Sequence, residues 1–153
     1  MKKLMPYFIF LIIALCSFST LAKDANNCLS SIDSHVINTD TLWLDDCGLT
    51  DADVPIIISY LGNNPHITQL YLLNNRIADS GAAMIAKNKT LKMVELRNNM
   101  IGSSGILALT HSSIHMIDLQ GNLTAPHIMD VAENKKSKLA GLTKHHEQVL
   151  ILG

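Results

Sequence analysis

The sequence predicts an α/β repeat solenoid in which short strands alternate with helical returns and stack side by side. Three observations predict it. An aliphatic phrase recurs four times, its spacing is nearly regular, and the segments between copies carry helical periodicity. Composition agrees: the 153 residues are 48 % hydrophobic but only 5 % aromatic, which favours repeated aliphatic layers over an aromatic core. Twelve basic against thirteen acidic side chains argue against a nucleic-acid binder, which needs a strong Lys and Arg excess. The length suits one compact domain.

Residues 1–22 read as a signal peptide. Lys2 and Lys3 precede an unbroken apolar run from Tyr7 to Cys16, and Thr20 and Ala22 are the small residues a signal peptidase accepts. The run is shorter than the ~20 residues of a spanning helix. Leu15 is too large to precede a lipid-bearing Cys16. An uncleaved anchor helix over residues 4–22 is the alternative. Cleavage after Ala22 would leave ten basic against thirteen acidic residues in a secreted or periplasmic chain, touching membrane only through the leader. The lysine-led start and compact size suggest a bacterial source. Residues 23–40 are expected to form an N-terminal cap.

The repeats occupy residues 41–124. Leu42-Trp43-Leu44-Asp45-Asp46-Cys47-Gly48-Leu49 opens the series. Ile67 to Ile77, Leu91 to Ile101 and Ile114 to Asn122 follow, sharing L-x-x-L-x-L-x-x-N/C-x-L. The first copy has Thr39 at the leading aliphatic position and the fourth has Thr124 at the last. In L-x-L the side chains alternate, so the leucines face inward and the intervening residues face solvent. The Asn or Cys that follows turns inward, where a buried amide can satisfy backbone groups of adjacent turns. A single copy cannot bury its aliphatic face, so neighbours must stack.

The returns look helical. Val54, Ile57, Ile58 and Leu61 recur at helical spacing, with Pro55 in the first turn, where its missing N–H is harmless. Asp51, Asp79 and Ser103 occupy equivalent positions able to cap a helix. Spacings of 28, 24 and 23 residues between Cys47, Asn75, Asn99 and Asn122 predict a full first helix and two clipped ones.

This pattern resembles the leucine-rich repeat family, and Ile77-Ala78-Asp79-Ser80-Gly81-Ala82 resembles its ribonuclease-inhibitor subgroup. The resemblance implies a short parallel sheet on a concave face, with helices and loops on the convex face. It also implies non-catalytic protein–protein recognition. Exported binders of this kind from host-associated bacteria can act on host proteins, one expected partner class.

Residues 125–153 are expected to cap the other end. A helix through Glu133 would bury Ile128, Val131 and Ala132, a polar loop would cover residues 134–138, and Val149 to Leu152 reads as a last strand. Dimerisation through a sheet edge is a further route to stability.

Cys28 and Cys47 admit two readings. A disulfide could pin the cap of an exported protein, or Cys47 could simply fill the ladder position with a small buried side chain. Seven histidines (His35, His66, His111, His115, His127, His145 and His146) show no metal-binding spacing, so neither metal nor cofactor is expected. No nucleophile phrase or phosphate-cradling loop points to an enzyme. Some family members carry a separate ubiquitin-ligase domain, for which this chain has no room. Two other classes stay open: a metal-binding or hydrolytic enzyme using the scattered histidines, and an envelope structural protein held by an uncleaved helix. Asn88-Lys89-Thr90 and Asn122-Leu123-Thr124 match glycosylation acceptors but sit on repeat positions.

Stacked in register, the outward positions form columns. Trp43, Tyr71, Glu95 and Asp118 make the central one, Asp45, Leu73, Arg97 and Gln120 lie beside it, and Thr41, Gln69, Met93 and Met116 precede it. Aromatic anchors grading into charge suit a protein-binding surface whose partner is an unknown protein. The competing reading has Trp43 and Tyr71 packed under the cap or on each other.

Overall fold

The computed structural model describes residues 24–123 and 149–151. Helix α1 (Ala25–Ser30) and a 3-10 turn (Ile32–His35) lead into β1 (Val36–Ile37) and β2 (Thr41–Trp43). Then α2 (Val54–Asn63), β3 (Gln69–Tyr71), α3 (Asp79–Ile85), β4 (Met93–Glu95), α4 (Ser103–Thr110) and β5 (Met116–Asp118) alternate. Strand β6 (Val149–Ile151) closes the series. The six strands lie in chain order, antiparallel between β1 and β2 and parallel thereafter. Strands alternating with helices over one parallel sheet make this the α/β repeat solenoid that the periodicity predicts.

Register follows from the aliphatic rungs, because a one-residue slip would turn every inward side chain to water. Leu42, Leu70, Val94 and Ile117 align across β2–β5. They are fully buried, as are Leu44, Leu72, Leu96 and Leu119 two residues further along. Burying each such side chain stabilises the fold by about 1.5–3 kcal/mol relative to exposure. Backbone bonds carry the ladder past the strands: Leu72 N–H donates to Glu95 O at 2.9 Å and Asn74 N–H to Arg97 O at 3.1 Å. The last strand pairs parallel with β5, Met116 opposite Val149. The expected signal peptide, the helix through Glu133 and the loop at 134–138 lie outside the described residues.

The chain leaves each strand through the same two residues. Asp46, Asn74, Asn98 and Gly121 all have positive φ (57°, 55°, 53° and 73°), a region that Asp, Asn and Gly tolerate best. The next residue is the ladder position. Asn75 donates through Nδ2 to Leu44 O at 2.9 Å and Leu72 O at 3.0 Å, while its Oδ1 accepts Leu49 N–H at 2.9 Å. Asn99 and Asn122 repeat this one and two turns on. Each amide therefore joins its own turn to the previous one. Cys47 occupies the position in the first repeat and is bonded to Cys28 of α1, with Cα atoms 6.0 Å apart. Both cysteines are fully buried.

The helical returns are 10, 7 and 8 residues long, so the first is the fullest. Their capping differs from the sequence expectation. None of Asp51, Asp79 or Ser103 caps its own helix; the two carboxylates cap the helix of the following repeat. Asp51 Oδ1 accepts Ala78 N–H at 2.7 Å and Oδ2 bonds the Ser80 hydroxyl at the start of α3. Asp79 Oδ1 accepts Gly102 N–H at 2.7 Å and Gly105 N–H at 3.0 Å, and Oδ2 bonds the Ser104 hydroxyl, at the start of α4. These bonds hold the Asp79 carboxyl below its ordinary range, the Ser104 hydroxyl foremost. Glycine is what admits the carboxylate: a Cβ on Gly105 would stand 2.7 Å from Asp79 Oδ1 and 3.0 Å from its Cα. The first return has no earlier repeat to cap it. There Asp53 replaces the glycine, and its Oδ2 accepts the Thr50 N–H and hydroxyl, both at 2.8 Å.

Candidate functional site

Strand alternation places Thr41, Gln69, Met93 and Met116 in one row across the outer sheet face and Trp43, Tyr71, Glu95 and Asp118 in the next. Ile151 of β6 extends the second row. The face divides by chemistry into an apolar end and an ionic end.

At the apolar end the Trp43 and Tyr71 rings are stacked, with centroids 4.6 Å apart and planes 5° from parallel. The stack does not bury the indole, which stays 42 % exposed. Tyr71 is half-buried, and its hydroxyl lies 3.6 Å from Met93 Sδ. Leu73 is half-buried beside it and Ile37 is exposed, while the exposed Met116 lies at the other end, on β5 with Asp118. Thr41, outward in the sequence pattern, is buried, with its hydroxyl donating to Asp40 Oδ1 at 3.0 Å.

At the ionic end one expected surface residue is placed differently. Glu95 is only 4 % exposed, so it is not an open contact. Its Oε1 accepts both the Arg97 N–H and the Arg97 Nε–H at 2.9 Å, and the guanidinium two residues along the same face lies over it. Arg97 Nε also lies 3.6 Å from Asp118 Oδ2. The Glu95 hydrogen bond and charge hold the guanidinium above its already high ordinary pKa. Gln120 is exposed at the end of its column, its N–H donating to Asp118 Oδ1 at 3.2 Å.

Asp45 sits at the apolar end, two residues beyond Trp43. Its Oδ1 accepts the Leu73 N–H at 2.7 Å, and the Trp43 side chain hydrogen-bonds to it. Burial pushes its carboxyl pKa up, the Asp46 and Glu95 charges push the same way, and the Leu73 bond opposes them. A second polar ladder flanks this column. Asn74 Nδ2 donates to Asp46 Oδ1 at 2.9 Å and Asn98 Nδ2 to Asn74 Oδ1 at 2.8 Å. This outer ladder was not among the sequence expectations, although its signal is present: Asp, Asn, Asn and Gly precede the inner ladder residue in the four copies.

The histidines do not converge, and no group of three His, Cys, Asp or Glu side chains able to hold a metal exists among the described residues. His127, His145 and His146 lie outside them. No helix of the described residues is long and apolar enough to cross a membrane.

Residues 63–86 and 87–109 each match the family described as Leucine Rich repeat. The chain is similar to NACHT, LRR and PYD domains-containing protein 12 of Homo sapiens, 34 % identical over 73 residues. That alignment covers 48 % of this chain and 7 % of the human protein. The Mus musculus protein of the same name is 41 % identical over 46 residues, 30 % of this chain and 4 % of that one. The chain thus spans a small fraction of the length of these relatives. Residues 63–109 are therefore similar to leucine-rich repeats, modules that generally mediate protein–protein interaction and are typically non-catalytic.

Proposed function

We propose that this chain is an exported, non-catalytic recognition module whose concave sheet face binds another protein. The observation that carries the reading is the Trp43 indole. It stays 42 % exposed on the sheet face while stacked on Tyr71, beside a charge-paired Glu95, Arg97 and Asp118 cluster. A rigid aromatic platform bordered by polar groups is the usual composition of an interface hot spot. Export is supported by the leader-like pattern of residues 1–22 and by the Cys28–Cys47 bond, since such bonds persist in oxidising compartments. Host proteins are the partner class we propose for an exported binder of this kind.

Capture from host and envelope lysates tests the surface. Trp43→Ala combined with Tyr71→Ala should weaken capture about ten-fold or more while the circular dichroism spectrum is retained. Undiminished capture by the folded variant would remove the assigned face. N-terminal sequencing of the exported chain tests the leader, and a start at Lys23 is the expected result.

A further inference from the structure

The charge of the sheet face is unbalanced, and the imbalance is local. Across the three outward columns the carboxylates of Asp45, Glu95 and Asp118 face the guanidinium of Arg97. That guanidinium is already committed, 2.9 Å from Glu95 and 3.6 Å from Asp118. Asp45 forms no ion pair among the described residues, accepts a backbone N–H from Leu73, and lies two residues beyond Trp43. Burial and the neighbouring Asp46 and Glu95 charges already disfavour its ionised form. A purely apolar partner laid over this end would desolvate the carboxylate further without a counter-charge, which is costly. An acidic partner would add repulsion. A cation on an aliphatic stem meets both requirements: aromatic faces attract guanidinium and ammonium groups, and the stem can cover apolar surface.

Resting on the reading of this face as a protein-binding surface, we infer that its ligand is a polypeptide segment presenting an arginine or lysine. The cation meets Asp45 and the Trp43–Tyr71 stack, and the stem lies along Leu73. Partner recognition through this end is therefore charge-selective and weakens with salt.

Selection of a random displayed dodecapeptide library against the full-length chain tests this. Trp43 is the only tryptophan, so its fluorescence reports binding at the site. Enriched peptides should carry Arg or Lys flanked by apolar residues. Replacing that Arg by citrulline, or Asp45→Asn, which keeps an acceptor for the Leu73 N–H, should weaken binding by about ten-fold or more. Enrichment of acidic or uncharged peptides, tolerance of citrulline, or no enrichment overturns the cationic ligand. So does a fluorescence change with protein concentration alone, which would make a second copy the occupant. If uncharged peptides are selected and Trp43→Ala abolishes their binding, the concave reading survives that failure. Peptides indifferent to both Trp43→Ala and Tyr71→Ala overturn the concave reading itself.

Discussion

At the scale of single residues, the ladder asparagines carry more than their size implies. Asn99 is buried, donates to Leu72 O at 2.8 Å and Leu96 O at 3.1 Å, and accepts the Ile77 N–H at 3.0 Å. Asn99→Ala strands those groups between two repeats. It should cost about 2–4 kcal/mol, measured by urea unfolding. The ladder was legible from the Asn and Cys spacing, because a buried amide is required wherever the chain turns away from its strand. The pairing of Cys47 was not, since a small side chain at a ladder position and half of a disulfide look alike in sequence. Glu95 was misplaced for a similar reason. Alternation put it outside, but only the fold shows Arg97 lying across it.

At the scale of the elements, the second and third return helices are each capped by the repeat before them. Reading capping locally assigned Asp79 to its own helix. The tertiary stack assigns it to α4, which no local motif can report. Two consequences follow from the Asp79–Gly105 contact. Alanine for glycine within a helix ordinarily stabilises by about 1 kcal/mol. Gly105→Ala should instead destabilise by about 1–3 kcal/mol, because its Cβ would crowd Asp79. Thermal unfolding measures the sign. The lowered pKa of Asp79 sets a pH dependence. Its folded-state value lies below the ordinary 3.8, so its contribution is complete above 3.8 and is lost as pH falls through the folded value. The stability gap between the parent chain and Asp79→Asn should therefore shrink below pH 3.8 and stay flat above pH 5 or so. A gap constant down to acid unfolding would contradict the assignment.

At the scale of the whole molecule, a solenoid is only as stable as its neighbours and ends permit. The first repeat lacks an earlier neighbour for its ladder position, and the Cys28–Cys47 bond to α1 supplies a covalent tie there. Its sequence separation of 19 corresponds to about 3 kcal/mol of chain entropy removed from the unfolded state. The double Cys→Ser variant should unfold at correspondingly lower urea, and hydrogen exchange should rise first in α1 and β2. The fold class and register were open to reading because two of four copies keep every fixed position, and aliphatic rungs admit one alignment. The division of the sheet face into aromatic and ionic ends was visible as columns, whereas the Trp43–Tyr71 stacking geometry depended on coordinates. The central claim is that in-register rungs turn one sheet face toward a protein partner. The most direct measurement places a photoreactive phenylalanine analogue at position 71 of the sheet or at position 107, where Leu107 is exposed on α4. Adducts with a partner from position 71 and none from position 107 are the expected result. Adducts from position 107 alone would put the partner on the helical side and contradict the assignment of the concave face.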